Sequence, residues 1–257
     1  MTQAFYRKWR PRRWDQVVAQ DHVVQTLKNA IKADRVGHAY LFSGPRGTGK
    51  TTTARLLAKA VNCLNENPAE RPCDSCSHCL AVNENRFLDL IEIDAASNTS
   101  VEDVRDLRDR INYSPTDGKY KVYIIDEVHM LSTAAFNALL KTLEEPPPHA
   151  IFILATTEVH KIPATVLSRC QRHEFRRIPV AETVKALREI CKEEQIETDE
   201  EALLLIARQS TGALRDAISL LDQLASTGKH IDLALAQTVL GTATNQLVFD
   251  LIEGLLK

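Results

Sequence analysis

This chain of 257 residues lacks a strong net charge, a long apolar run and a signal sequence. A formal net charge of −2 excludes a polycation that coats nucleic acid or membrane, so any contact with DNA has to be local. No apolar run approaches the roughly 18 residues that cross a bilayer. The basic N-terminus, MTQAFYRKWRPRRW, leads into no apolar segment of the kind found in secretory signals. We therefore expect a globular protein of the cytoplasm.

Disulfides are not expected either, because a reducing cytosol keeps thiols free and cysteines there more often bind metal. The chain has 6 cysteines, of which Cys63, Cys73, Cys76 and Cys79 follow the spacing C-x9-C-x2-C-x2-C. Thiolates in this number suit tetrahedral zinc, and a complete shell of cysteines leaves no open position for catalysis. The spacing favours a structural zinc clip.

Two alternatives to zinc stay open. The run C-x2-C-x2-C also begins the bacterial ferredoxin motif, which continues with x3-C-P, whereas LAVN follows Cys79 here. The other alternative is a cluster that binds no metal. His78 would be strained as a ligand beside Cys79, and we expect its ring to be exposed.

Short apolar runs rich in β-branched residues alternate with helical patterns from residue 39 to about residue 176. The candidate strands are HAYLFSG (38–44), FLDLIEID (87–94), KVYIID (121–126) and AIFILATT (150–157). The candidate helices are TTTARLLAKAVN (51–62), VEDVRDLRDRI (101–111) and STAAFNALLKTLEE (132–145). This alternation predicts an α/β fold whose mostly parallel sheet is covered on both faces.

The pattern changes after Pro179, where amphipathic helices follow one another with no strand between them. They are VAETVKALREICKEEQI, DEEALLLIARQS and ALRDAISLLDQLAS, and they predict a small all-α domain. A further amphipathic helix begins at NQLVFDLIEGLLK (245–257) and stops with the chain, so we expect a helical region to be cut off there.

The segment GPRGTGKT (44–51) fits G-x-x-x-x-G-K-[ST], the pattern of a phosphate-binding loop. Its glycines let backbone N–H groups turn toward phosphate oxygens, and the following helix offers its positive N-terminus. Lys50 would reach the β- and γ-phosphates, and Thr51 would bind Mg²⁺. The residues expected to hold the nucleotide here are Gly44, Pro45, Arg46, Gly47, Thr48, Gly49, Lys50, Thr51 and Thr52.

An acidic pair ends the strand in VYIIDEVHM, at the edge of the sheet where α/β proteins bind ligands. Asp126 would hold Mg²⁺ through water, and Glu127 would orient and deprotonate the attacking water. An acidic pair of this kind is often only a solvated loop, but the phosphate loop upstream favours catalysis. Thr156 or Thr157, at the end of another strand, would sense the γ-phosphate, although threonine is also common in strands for its β-propensity alone.

An ordered set of motifs resembles the gamma/tau family of bacterial DNA polymerase III subunits, the AAA+ ATPases of the sliding-clamp loader. The motifs are YRKWRPRRWDQVVAQDHV, HAYLFSGPRGTGKTTTARLLAKAVNC, CDSCSHC, DLIEIDAASN, IIDEVHMLS, FNALLKTLEEPPPH, LATTE, LSRC and GALRDAISLLDQ. The resemblance implies an ATPase that uses Mg²⁺ and carries Zn²⁺ outside its active site. It also implies a nucleotide-binding domain over 1–179 with a zinc module at 63–79, a helical lid over 180–242, and the start of a helical collar over 243–257.

The resemblance assigns further residues that spacing alone does not. Arg169 in SRC would reach into the ATP site of a neighbouring subunit, and Arg215, beside Leu214, would touch the γ-phosphate from the lid. The part that packs around the adenine would include Tyr6, Arg10, Pro11, Val17 and Val18. Without the resemblance, RKWRPRR reads as a solvated basic arm or a DNA-binding patch, and a lone arginine most often forms a surface salt bridge.

The partners that the resemblance implies are clamp-loader subunits of the delta and delta-prime type, the sliding clamp and primer–template DNA. Arg105 and Lys141 are the candidate contacts to the DNA backbone, although both fit solvated helix charges equally well. Two other functions are considered, a structural clamp-loader subunit that does not hydrolyse ATP and another AAA+ motor such as a branch-migration helicase. The intact phosphate loop argues against the former, and the zinc spacing with SRC argues against the latter.

Overall fold

A computed structural model of the chain describes residues 3–97, 111–228 and 230–241. The chain divides into two compact units. One unit is Pro11–Arg176, and the other combines Met1–Arg10 with Arg177–Lys257. The predicted helix at 101–111 lies almost wholly outside the described residues, and the predicted helix at 245–257 lies outside them completely.

The unit Pro11–Arg176 is built around a parallel sheet of 5 strands in the order β2-β3-β4-β1-β5. The strands are β1 (Ala39–Ser43), β2 (Leu90–Asp94), β3 (Lys121–Asp126), β4 (Ala150–Thr156) and β5 (Gln171–Glu174). The parallel α/β architecture predicted from the sequence is therefore confirmed.

The edge strand β5 has no counterpart among the predicted strands. It pairs in parallel with β1, with Phe42 opposite His173. Its sequence, QRHE, buries only His173, so it carries none of the apolar signal that marks the central strands. Strand β5 exists because β1 offers it a partner, which is a tertiary cause.

Alternate residues of the central strands pack on opposite faces of the sheet, as the two-residue period of a strand requires. In β3, Tyr123 and Ile125 join the core on one face, while Val122 and Ile124 join the core on the other. The helices α2 (Asp21–Lys32) and α3 (Lys50–Val61) bury their apolar sides in the second of these cores.

Within the described part of this unit, the remaining helices are α4 (Ser77–Asn83), α5 (Thr133–Glu144) and α6 (Ala164–Leu167). Helix α5 starts as predicted from a serine cap, because the Ser132 hydroxyl accepts a hydrogen bond from the Ala135 N–H at 3.2 Å. Single 3₁₀ turns lie at Trp14–Gln16, Pro68–Glu70, Val128–Met130 and Val159–Lys161.

The other unit is helical, with α7 (Val180–Glu194), α8 (Glu200–Gln209), α9 (Leu214–Ala225) and α10 (Leu233–Leu240) around a shared apolar core. The prediction that no strand lies between these helices was wrong. Glu197–Thr198 and His230–Ile231, β6 and β7, form a short parallel pair. Such a pair is too short to show a periodic pattern.

The N-terminal helix α1 (Phe5–Lys8) belongs to this helical unit. The Phe5 N–H donates to an Asp222 carboxylate oxygen at 3.1 Å, and the Trp9 indole donates to Glu194 Oε1 at 2.6 Å. Among the described residues, no helix has the length and apolar character needed to pass through a bilayer.

The buried side chain of Asp89 is predicted to contribute to the stability of the parallel unit. Its buried carboxylate accepts hydrogen bonds from the N–H groups of Thr116, Asp117 and Gly118 at 2.7–2.8 Å. Asp89→Ala leaves these donors without their acceptor, so we expect the free energy of unfolding to fall by about 3 kcal/mol in urea titrations. Asp15→Ala removes an exposed carboxylate and should change it by less than about 0.5 kcal/mol. Equal effects of the two substitutions would contradict this account of Asp89.

Candidate functional site

The loop between β1 and α3 can be formed only with glycine at its first position. Gly44 has a φ of +145°, and a Cβ there would lie 2.3 Å from the carbonyl oxygen of Phe175. The Gly44 N–H donates to the Thr156 carbonyl at 3.2 Å, which ties the loop to β4. Gly49, with a φ of +100°, is the N-cap residue of helix α3. The loop thus places backbone N–H groups and a helix N-terminus at the carboxyl edge of the sheet.

Lys50 is buried inside this loop. Its ammonium group donates hydrogen bonds to the carbonyl oxygens of Gly44 and Pro45, both at 2.9 Å. Burial lowers the pKa of the Lys50 amine, and the carboxylates of Glu127 and Asp126 oppose that shift. An ammonium group held by two carbonyl oxygens of this loop is well placed to bind an anionic ligand at the same loop.

The other predicted loop residues differ mainly in exposure. Thr48 is buried, and its hydroxyl donates to the Pro45 carbonyl at 2.8 Å. Arg46 is exposed at the tip of the loop, while Gly47 and Thr52 are half-buried.

Thr51 and Asp126, far apart in sequence, are in direct contact. The Thr51 hydroxyl donates to Asp126 Oδ2 at 2.6 Å. The other carboxylate oxygen of Asp126 accepts from the Glu127 N–H at 3.0 Å, and Glu127 lies in the left-handed region with a φ of 47°. A hydroxyl oxygen beside a carboxylate is a donor set that fits Mg²⁺, which prefers oxygen ligands.

The two threonines at the end of β4 take different roles. The Thr157 hydroxyl donates to Glu127 Oε2 at 3.1 Å, so Thr157 touches the acidic pair directly. Thr156 is fully buried, and its hydroxyl oxygen accepts from the Glu158 N–H at 3.0 Å. The sequence left open which threonine faces the site, and the geometry places Thr157 against Glu127.

His129 is a residue of this site that the sequence analysis missed. Its ring lies with Nδ1 3.0 Å from the Thr156 hydroxyl and 3.4 Å from Glu127 Oε2, and with Nε2 3.2 Å from Glu158 Oε1. The imidazole thus connects the acidic pair to the end of β4. The available signal was its place in DEVHM, shortly after a strand that ends in two carboxylates.

Arg169 lies in the same unit, and its guanidinium forms an ion pair and a hydrogen bond there. Its guanidinium donates to Glu144 Oε1 at 2.5 Å and to the Thr165 carbonyl at 2.6 Å, and its side chain is about one-third exposed. Lys141 is exposed on α5, and Arg105 lies outside the described residues.

Tyr6 and Arg215 are in contact within the helical unit. The Arg215 guanidinium lies 4.9 Å from the centre of the Tyr6 ring, and Arg7 donates to the Tyr6 hydroxyl at 3.1 Å. The hydrogen bond from Arg7, with the positive charges of Arg7 and Arg215, lowers the pKa of the Tyr6 phenol.

Leu214 is half-buried in the helical core, and Arg10 is exposed. In the other unit, Pro11, Val17 and Val18 are half-buried.

The four cysteines of the predicted clip converge. The sulfur atoms of Cys63, Cys73, Cys76 and Cys79 all lie within 4.8 Å of one another. A tetrahedral zinc ion with Zn–S bonds of about 2.3 Å needs sulfur atoms roughly 3.8 Å apart, so this group fits a zinc ion after small adjustments.

Two sulfur atoms of this cluster, those of Cys63 and Cys73, accept hydrogen bonds from backbone N–H groups. The Cys73 N–H points at Cys63 Sγ at 3.4 Å, and the Cys76 N–H points at Cys73 Sγ at 3.4 Å. Burial raises the pKa of Cys63 and Cys79. Burial acts in the same direction at Cys73, but hydrogen bonds from Ser75 and Cys76 outweigh it and lower that pKa to about 6. Donors to sulfur favour the thiolate form that metals bind.

The expectation that His78 is exposed was wrong. Its ring is half-buried against Phe87, with centroids 5.2 Å apart, and Nδ1 lies 2.7 Å from the Asn62 carbonyl oxygen. The tertiary contact with Phe87 was not visible in the local sequence.

Two family models match successive parts of the chain. The model described as "DNA polymerase III, delta subunit" matches residues 19–179, and the model described as "DNA polymerase III clamp loader subunit, ATPase lid domain" matches residues 182–230. The chain is also similar to solved structures of the RuvB Holliday junction branch migration motor of Thermotoga maritima. That likeness has a TM-score of 0.64 at 20% identity, over 90% of this chain and 71% of that chain. It shows a shared fold.

Curated relatives are more similar. DNA polymerase III subunit tau of Bacillus subtilis is 55% identical over 221 residues, which is 86% of this chain and 39% of that protein. DNA polymerase III subunit gamma of Buchnera aphidicola subsp. Acyrthosiphon pisum is 44% identical over 256 residues, which is 99% of this chain and 71% of that protein. The chain spans about two fifths of the tau relatives it matches, such as 40% of that of Escherichia coli. The chain belongs to the gamma/tau family of DNA polymerase III clamp-loader subunits.

Proposed function

We propose that this chain binds and hydrolyses ATP, and that in the complete protein this drives the opening and loading of a sliding clamp on primed DNA. The observation that carries the proposal is the contact between Thr51 and Asp126 at 2.6 Å, directly beside the buried Lys50. This contact joins a phosphate-binding loop to an acidic strand end, which is the arrangement that phosphoryl transfer to water requires.

Each group at this edge has a role that follows from its chemistry. Backbone N–H groups of the loop Gly44–Gly49 and the N-terminus of α3 hold the phosphates, and Lys50 neutralises their charge. Thr51 and Asp126 are the residues that hold Mg²⁺. When bound, that ion withdraws negative charge from the phosphate oxygens.

Glu127 is the general base in this proposal. Its carboxylate orients a water molecule and accepts its proton as the water oxygen bonds to the γ-phosphorus. The bond from the γ-phosphorus to the β,γ-bridging oxygen breaks, and ADP leaves with that oxygen. Thr157 donates to Glu127 Oε2 and therefore sets the direction of that carboxylate. Thr156 acts on the same group through His129.

The remaining nucleotide contacts rest on the family. Tyr6, Arg10, Pro11, Val17 and Val18 surround the adenine in this proposal. Leu214 and Arg215 act from the lid, 180–242, on nucleotide held by the domain 1–179.

The cysteine cluster holds Zn²⁺ in this proposal. The observation that supports it is the convergence of the sulfur atoms of Cys63, Cys73, Cys76 and Cys79. Such a site is structural because no ligand position remains for a substrate, and zinc binding of this kind contributes on the order of 10 kcal/mol to folding of the loop around it.

The partners in this proposal are those of a clamp loader. They are delta- and delta-prime-type subunits in a ring closed by a collar that starts at 243–257, the sliding clamp, and primer–template DNA in the bacterial cytoplasm. Lys141 supplies an exposed cation for the DNA backbone. Arg169 completes the ATP site of a neighbouring subunit, and its pair with Glu144 has to break for that.

Lys50→Ala should abolish ATP binding, because the loop then lacks the cation that offsets the phosphate charge. Equilibrium binding of a fluorescent ATP analogue measures this. Lys32→Ala, which removes an exposed lysine at the end of α2, is the matched control and should bind normally. Tight binding by the Lys50 variant would rule out the assignment of this loop.

Glu127→Gln should bind ATP normally but hydrolyse it about 10² to 10⁴ times more slowly, because the amide cannot accept the proton. Phosphate release in the presence of primed DNA and partner subunits measures the rate. Glu182→Gln, at an exposed glutamate of α7, serves as the control. A Glu127 variant with the wild-type rate would show that another group is the base.

Arg169→Ala should leave ATP binding by the isolated chain unchanged and lower the ATPase rate of the assembled loader by about 10³-fold, because an arginine acting in trans stabilises only the transition state. Arg188→Ala removes a comparable exposed ion pair, with Glu200, and should have little effect. An equal loss of rate in the two variants would argue against catalysis across the subunit interface.

A further inference from the structure

Beyond Lys50 at its start, helix α3 carries two further buried cations, Arg55 and Lys59. The exposed fractions are 9% for Arg55 and 2% for Lys59. Because they are four residues apart, their side chains leave the same face of the helix. A buried charge is stable only when it is paired and hydrogen-bonded, so the groups that pair with these cations are part of what holds α3 in place.

The partners of Lys59 come from the cysteine cluster and from the N-terminal segment. Its ammonium group donates to Asp74 Oδ1 at 2.5 Å, to Asn83 Oδ1 at 2.9 Å and to the Arg12 carbonyl at 2.8 Å. Asn83 also donates to Asp74 Oδ1 at 2.8 Å, so the side chains of Lys59, Asp74 and Asn83 are hydrogen-bonded to one another. All the hydrogens of the ammonium group are therefore in use.

The partners of Arg55 come mostly from the same region. Its guanidinium donates to the Val82 carbonyl at 2.7 Å and contacts the Asn85 side-chain oxygen. It also forms an ion pair with Glu92 of β2. Val82 belongs to α4 and Asn85 follows it, so both buried cations of α3 depend on residues 74–85 for most of their partners.

Residues 74–85 are held together by the cysteines. Asp74 directly follows Cys73, and Cys79 lies on α4 together with Val82 and Asn83. A second link joins the cluster to the N-terminal segment, because the buried Trp14 donates its indole N–H to the Arg71 carbonyl at 2.9 Å. Disorder at the sulfur atoms would thus remove most of the partners of Lys59 and of Arg55.

We propose that the metal in the cysteine cluster raises the affinity of the phosphate loop for ATP, and that Lys59 and Arg55 are the positioning residues that couple the two sites. Helix α3 begins at Lys50, so one rigid element carries both the phosphate-binding lysine and the two buried cations. In this proposal, loss of the metal disorders residues 74–85, and Arg55 and Lys59 lose most of their hydrogen-bond partners. Helix α3 then shifts so that both side chains find water or other partners, and Lys50 shifts with it. This inference rests on the proposed ATP and zinc sites.

The test compares ATP affinity between metal-loaded and chelator-treated full-length protein, after metal content has been measured by mass spectrometry. We expect about 10-fold weaker binding of a fluorescent ATP analogue after metal removal. The double variant Arg55→Met and Lys59→Met keeps the buried side-chain volume and removes both charges, so its ATP affinity should depend much less on metal. Arg86→Met, at an exposed arginine that pairs with nearby Glu84, should behave as wild type.

A second measurement needs no substitution. Because coupling between two binding sites is reciprocal, saturating ATP should strengthen metal retention by the same factor of about 10, measured as transfer to a chromogenic chelator. ATP affinity that is equal with and without metal, or a metal effect that persists in the double variant, would overturn the inference. Metal-loaded protein that binds no ATP would instead refute the proposed function.

Discussion

The hydrogen bond between the Thr51 hydroxyl and the Asp126 carboxylate joins the two halves of the candidate active site. It can form because β1 and β3 run parallel and end at the same edge of the sheet, with β4 between them. The glycine at position 44 is part of the same constraint, because the loop after β1 passes so close to the Phe175 carbonyl that any side chain would collide with it. Sheet geometry, more than any single side chain, assembles the site.

Burying charged side chains on α3 costs free energy, which hydrogen bonds and ion pairs to nearby groups offset. Lys50 is held by backbone carbonyls of its own loop, whereas Lys59 and Arg55, further along α3, are held by groups around the cysteines. The cysteine region therefore also contributes to α3, since it supplies most of the hydrogen-bond partners of these two buried cations. At the acidic end of β3, the His129 ring lies between Glu127 and the Thr156 hydroxyl, and so links Glu127 to the end of β4.

Much of the fold and the site could be predicted from residue patterns. The central strands, the helices α3 and α5, the phosphate loop and the acidic pair follow from periodicity, glycine placement and strand-end polarity, which act over a few residues. The edge strand β5 and the short pair of β6 and β7 escaped prediction, because each is formed by a partner strand elsewhere in the chain. The exposure of the His78 ring was predicted wrongly, since the ring packs against Phe87, which lies beyond the end of α4 and outside the local pattern.

By itself, the sequence determined the candidate functional residues, because a phosphate loop, a pair of carboxylates and a set of thiols are defined by residue type and spacing. Only the tertiary structure decided how these residues are connected. It set Thr157 rather than Thr156 against Glu127, added His129 to the site, and joined Lys59 to Asp74 and Arg12. The physical reason is that hydrogen bonds and ion pairs act over about 3 Å in space. The groups they join lie on different strands and helices, whose approach is set by packing of the whole core.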